Sequence, residues 1–123
     1  MDFKELCTAD THEEGAEIRL VNPVTGKDTD CYITVRGMDS PTFRTESRKR
    51  QRKALEAVRG NKPMPDDEFG LLVSSTISWR GLESDGVAWT FNKKNVSLLF
   101  EKSPLIADQV DKFIADRANF TKG

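Results

Sequence analysis

Ala16-Glu17-Ile18-Arg19-Leu20-Val21 and Cys31-Tyr32-Ile33-Thr34-Val35-Arg36 are the two stretches that decide the fold class. In both, apolar and polar side chains alternate, the period of a strand with one face buried. Cys31, Ile33 and Val35 would share a face with Ile18 and Leu20 of the neighbouring strand. Between the two lie turn residues, Asn22-Pro23-Val24-Thr25-Gly26, where proline fixes φ and glycine is free to take a positive one. Residues 16–36 therefore read as a β-hairpin with a long connection. A two-stranded ribbon is marginal alone, so it has to pack on helices or meet strands of another copy.

Everything downstream reads as helix. Ser40-Pro41 is a start signal, because serine accepts a backbone N–H as N-cap and proline is tolerated in the first turn. That helix covers residues 41–59 and stops at Gly60-Asn61-Lys62-Pro63. A second is expected over residues 66–79. Asp66-Asp67-Glu68 suit the positive end of its dipole, and Phe69, Leu72, Val73, Thr76 and Ile77 fall at helical spacing. Gly81 to Gly86 reads as a loop. A short helix over 92–101 carries Val96, Leu99 and Phe100. After Ser103-Pro104, a last helix over 104–118 carries Ile106, Val110, Phe113 and Ile114.

The expected fold is thus α+β and mainly helical: an N-terminal β-hairpin followed by about four α-helices, in one domain over residues 16–120. Residues 1–15 differ in composition. Asp2, Glu5, Asp10, Glu13 and Glu14 stand against Lys4. Phe3 and Leu6 could anchor one helical turn, while Thr8 to Gly15 reads as a mobile, acidic loop.

Composition narrows the function. The chain has 123 residues, 37% apolar and 32% charged, with a formal net charge of −1. Such a balance predicts a small core under highly solvated helices. It argues against a nucleic-acid or membrane-surface protein as a whole. No apolar run approaches the ~18 residues of a membrane span, and Met1-Asp2-Phe3-Lys4-Glu5 lacks the pattern of a secretory signal. A cytoplasmic setting is expected, with Cys7 and Cys31 as reduced thiols in no CxxC or zinc spacing.

Catalytic chemistry is hard to place. His12 is the sole histidine and reads as a solvated loop residue. Cys7, Asp10, Glu13 and Glu14 surround it without a ligand spacing. No GxGxxG or GxxxxGK[ST] phosphate loop occurs, and Asp66-Asp67-Glu68 reads as helix N-terminal acids rather than a metal site. The expectation is no catalytic, cofactor or metal site.

Binding candidates are clearer. Arg44, Arg48, Lys49, Arg50, Arg52, Lys53 and Arg59 outnumber Glu46 and Glu56 along the first long helix. The charges nearly encircle it, leaving Phe43, Ala54, Leu55 and Val58 as residues to bury. It reads as a solvated helix docked by a narrow stripe, as a protein-binding surface, or as a phosphate-binding one. Nucleic acid is the weaker reading, since no aromatic residues interleave with the cations. Phe43, Arg44, Arg48 and Arg52 are the partner-binding candidates here. Trp79 and Trp89 bracket a loop with two glycines. They read first as lids on a small core and second as interface anchors.

The order of segments carries a resemblance. Met38-Asp39-Ser40-Pro41-Thr42-Phe43-Arg44 leads from a strand into the basic helix. Ile77-Ser78-Trp79-Arg80-Gly81, a turn at Asp85-Gly86, Trp89-Thr90-Phe91-Asn92-Lys93-Lys94-Asn95-Val96 and Ser103-Pro104-Leu105-Ile106-Ala107-Asp108-Gln109-Val110-Asp111-Lys112-Phe113-Ile114 follow. Over residues 16–120 this arrangement resembles the tail assembly chaperones of long-tailed, HK97-like siphophages. The resemblance implies a non-virion protein of the infected host's cytoplasm that binds the tape measure protein and assists polymerisation of the tail tube protein. It also implies self-association as a homo-oligomer and, in many such phages, a longer frameshifted form. Two alternatives stay open: a structural tail or head–tail joining protein, and a small nucleic-acid-binding regulator using the basic helix.

Overall fold

The computed structural model describes residues 1–63 and 69–121. Its fold is α+β, and the hairpin forms as the alternation requires. Strands β1 (Ala16–Val21) and β2 (Asp28–Val35) pair antiparallel, with Ile18 opposite Ile33. Ile18, Leu20, Ile33 and Val35 point into the core. The other face carries Glu17, Arg19, Tyr32 and Thr34, where the Arg80 guanidinium lies 3.8 Å over the Tyr32 ring and chelates the Glu17 carboxylate at 2.8 and 2.9 Å.

A third strand joins this pair and corrects the expected helix over 66–79. Helix α3 runs only over Gly70–Ser75, and Thr76–Arg80 forms β3; residues 66–68 lie outside the described residues. β3 pairs antiparallel with β2, placing Trp79 opposite Ile33, so the sheet order is β1-β2-β3. Three hydroxyls end the helix. Ser74 and Ser75 donate to the Leu71 carbonyl at 2.9 and 2.7 Å, and Thr76 donates to that of Leu72 at 2.8 Å. These bonds satisfy carbonyls that the next helical turn would otherwise use, and the β-branched and aromatic residues that follow suit a strand.

Two helices cover the inner face of the sheet. From α4 (Lys93–Lys102) come Val96 and Phe100, and from α5 (Pro104–Ala115) come Ile106, Ala107, Val110 and Ile114. Burying a side chain like Phe100 contributes roughly 1.5–3 kcal/mol. Gln109 of α5 also closes the outer edge of β1: its amide donates to the Val21 carbonyl at 2.8 Å and accepts from the Val21 N–H at 2.9 Å. Segment 81–86, expected as a loop, begins a small ribbon of β4 (Glu83–Ser84) and β5 (Val87–Ala88).

The N-terminal expectation also changes. Phe3–Leu6 is one 3-10 turn, and Ala9–Glu14 is helix α1 rather than loop. Gly15 ends α1 at φ 88°, and a Cβ there would stand 2.7 Å from the Val35 carbonyl oxygen. Helix α2 (Pro41–Arg59) starts at Ser40, whose side chain accepts from the Phe43 N–H. Among the described residues, which include all nineteen of α2, Ala57 is the only buried one of that helix.

Candidate protein-binding surface

Helix α2 is about 28 Å long at 1.5 Å per residue, and the structure separates it into two faces. Phe43, Arg50, Ala54 and Ala57 face inward, buried or half-buried. Arg50 holds Glu46 one turn away at 3.2 Å. Leu55 and Val58, expected to be buried, are instead 55% and 71% exposed. The reason is phase: at 3.6 residues per turn, Leu55 lies on the opposite side of the helix from Phe43, Arg50 and Ala57. With Leu55, at spacings of three, four, seven and eleven, come Arg52, Arg59, Arg48 and Arg44, all exposed. The outward face is therefore four arginines around an aliphatic ridge.

Near its start the helix borders two grooves. Met38, Phe43, Arg44, Ser47, Arg48 and Gln51 line one of about 300 Å³. Phe43 also opens onto a second of about 280 Å³, walled by Phe69, Leu71, Leu72 and Ala107 with Asp108 and Asp111 at its rim. Three candidates from the sequence, Phe43, Arg44 and Arg48, thus meet around one groove, and Arg52 continues the same exposed face.

Trp79 and Trp89 sit elsewhere, on β3 and just after β5. Their rings stack with centroids 5.0 Å apart, and Phe91 meets Trp79 edge-on at 5.1 Å. The Trp79 indole N–H donates to the Trp89 carbonyl at 2.8 Å. Trp79 packs half-buried against the core, so the pair covers the core at the end of the sheet and does not join the α2 face.

Around the first turn of α2 lies a polar clasp that the sequence did not disclose. His12, expected in solvent, is fully buried and stacks on Phe120 at 4.8 Å. Its Nδ1 accepts from the Asp39 N–H at 3.0 Å, which leaves the ring proton on Nε2, 3.6 Å from Asp39 Oδ2. Burial pushes His12 below its ordinary value, against the opposite pull of the Asp39 carboxylate. Burial works to raise Asp39, but the Thr8 hydroxyl at 2.7 Å and the Arg117 guanidinium at 3.1 Å hold it low.

Glu13 completes the clasp. It accepts from Ser40 Oγ at 2.6 Å, the Thr42 N–H at 2.9 Å, Thr42 Oγ1 at 2.7 Å and Arg36 Nε at 2.9 Å. The Ser40 bond, with those from Thr42 and the Arg36 charge, lowers its carboxyl to about 2. An ionised carboxylate so placed also suits the positive end of α2.

A histidine, an aspartate and hydroxyls together invite comparison with a nucleophile and its base. The geometry assigns them otherwise. The Thr8 proton is spent on Asp39, the Ser40 proton on Glu13, and the imidazole is sealed under Phe120. These groups tie α1, the residues before α2 and the chain's last turn, Arg117–Phe120, into one unit. Among the described residues, no three His, Cys, Asp or Glu side chains converge as a metal set, and no helix is long and apolar enough to cross a membrane. Comparisons with protein-family models, curated proteins and solved structures find no match.

Proposed function

We propose that this chain acts by binding other proteins without catalysis, as a tail assembly chaperone of a long-tailed bacteriophage. The observation that supports binding is the outward face of α2, where Leu55 and Val58 stand exposed among Arg44, Arg48, Arg52 and Arg59. A face of this kind suits an amphipathic helix, whose apolar stripe lies on the aliphatic ridge while its acids meet the arginines. The groove beside Phe43 extends that contact. In this reading the bound helix belongs to the tape measure protein. The tail tube protein is the further partner, and the work is done in the host cytoplasm before the virion is complete. The phage assignment comes from the resemblance in segment order over residues 16–120.

Co-expression with the tape measure protein of the same phage tests this. The tape measure protein should become more soluble and co-purify with this chain, and Leu55→Asp with Val58→Asp should abolish the capture. Failure of wild-type capture overturns the chaperone reading. Finding this chain in purified virions by mass spectrometry favours the structural or head–tail joining alternative. The four aligned arginines are also what a nucleic-acid-binding regulator would use. That reading requires DNA or RNA binding that weakens steeply with salt.

A further inference from the structure

The outward face of α2 has a counterpart on the same chain. The 3-10 turn Phe3–Leu6 is exposed, and among the described residues none of its four is buried. Phe3 is 77% and Leu6 63% exposed. Residues three apart eclipse one another in a 3-10 helix, so Phe3 and Leu6 form one apolar row. Glu5 lies within the turn and Asp2 caps its start, accepting from the Lys4 N–H at 3.0 Å, so both acids flank that row. This matches the α2 face in reverse sign, where Leu55 and Val58 are flanked by Arg52 and Arg59. Residues 1–15 carry five acids against one lysine, and α2 carries seven cations against two glutamates.

We infer that the outward face of α2 receives the N-terminal turn of a second copy of this chain, forming a reciprocal dimer through exchanged N-terminal segments. The reach of the segment selects a second copy over its own helix. Thr8 is tied to Asp39, beside the first turn of α2, by a 2.7 Å hydrogen bond. Leu55 lies roughly 21 Å further along the helix at 1.5 Å per residue, whereas the turn of four residues spans about 8 Å. Two α2 helices set antiparallel about a two-fold axis place the start of each beside the C-terminal half of the other. Each N-terminal turn then faces its partner's Leu55, Val58 and Arg59. The contact is isologous and closes at two copies. It rests on the reading of α2's outward face as a binding surface, but not on the identity of any other partner. A client helix and the N-terminal turn would compete for that face.

The test uses the purified full-length chain alone, after nuclease treatment, in sedimentation equilibrium at low salt. The wild type should show a monomer–dimer equilibrium. Asp2→Lys with Glu5→Lys, and separately Arg52→Glu with Arg59→Glu, should each weaken it at least ~tenfold. Mixing the two variants should restore a one-to-one pair, because each supplies the charge that the other has inverted. Phe3→Ser with Leu6→Ser should also weaken dimerisation while leaving the circular dichroism melt, recorded at a concentration where the wild type is monomeric, nearly unchanged, since both side chains are mostly exposed. A wild type that stays monomeric at all concentrations, single-variant chains that dimerise as the wild type does, or a mixture that fails to pair would each overturn the inference. None of these readouts involves the tape measure protein, so loss of client capture with dimerisation intact counts against the proposed function alone.

Discussion

The two sides of α2 use their polar groups in opposite ways. At its first turn Ser40, Thr42 and Glu13 exchange hydrogen bonds as short as 2.6 Å, and Arg36 closes the carboxylate from the other side. Along its outward face, four arginines and two aliphatic side chains stand in solvent. The first arrangement gains its strength from charge-assisted bonds in a partly buried setting. The second gains little stability for the chain, because exposed charge and isolated aliphatics contribute almost nothing to folding. Stability and recognition are therefore separable on one helix, and substitutions should divide accordingly.

The largest loss is expected at Gly37. A Cβ there would fall on His12 Nδ1, and the ring cannot retreat because Phe120 backs it. Gly37→Ala should cost about 3 kcal/mol, the upper range for overpacking a filled site, measured by urea denaturation. The same change made on top of His12→Ala should cost much less, since the clash is gone. Equal costs in both backgrounds would show that the clasp is not packed as described.

Glu13→Gln is expected to come next, at about 2 kcal/mol, because hydrogen bonds to a charged group are the costly ones to lose. The amide keeps the shape but replaces one acceptor oxygen with a donor. Ser40→Ala should cost about 1 kcal/mol as a lost N-cap.

A smaller effect is expected with pH, and its sign follows from proton binding. His12 is held below its ordinary 6.5 by burial, so the unfolded chain takes the proton more readily. Stability is then complete above about 6.5 and declines as pH falls below it. Glu13 titrates near 2 in the fold against an ordinary 4.5, so its contribution is present above 4.5 and lost between 4.5 and 2. Melting temperature against pH should show two declines. His12→Phe should remove the upper one and keep the lower, and a profile in which both persist would place the upper titration elsewhere.

How far the sequence disclosed this depends on the range of each interaction. The hairpin was legible because Ile18, Leu20, Ile33 and Val35 signal their burial through a local period of two. Strand β3 was not, since Phe69, Leu72, Val73, Thr76 and Ile77 fit a helical period while the pairing of Thr76 with Val35 joins distant parts of the chain. The clasp left a partial trace: Thr8 and Gly15 stand where a short helix starts and stops. Its chemistry was hidden because Asp39 and Ser40 lie 27 residues from their partners in α1. On α2 the excess of cations was legible, but it read as encircling the helix, and the row of Arg44, Arg48 and Arg52 at spacing four shows only once Phe43 and Ala57 fix the inward side. The outward turn of Leu55 was not legible, because hydrophobicity alone assigns it to the core and only the phase set by Phe43 and Ala57 turns it out; Val58 is 71% exposed although its phase lies near that of Ala54.

That misassignment yields the smallest expected stability change and the sharpest separation between the two sides of the helix. If Leu55 and Val58 were core residues, replacing either with aspartate would bury an unpaired charge and unfold a chain of marginal stability. On an exposed face, Leu55→Asp and Val58→Asp should each shift the free energy of unfolding by no more than about 0.5 kcal/mol. An aspartate at 55 gains slightly from Arg52 and Arg59, three and four residues away. Binding should respond quite differently, because the same carboxylates remove the aliphatic ridge and neutralise its arginines. A variant with an unchanged urea midpoint and no capture of an acidic amphipathic helix would establish that this side of α2 serves recognition. A variant that unfolds would return Leu55 and Val58 to the core.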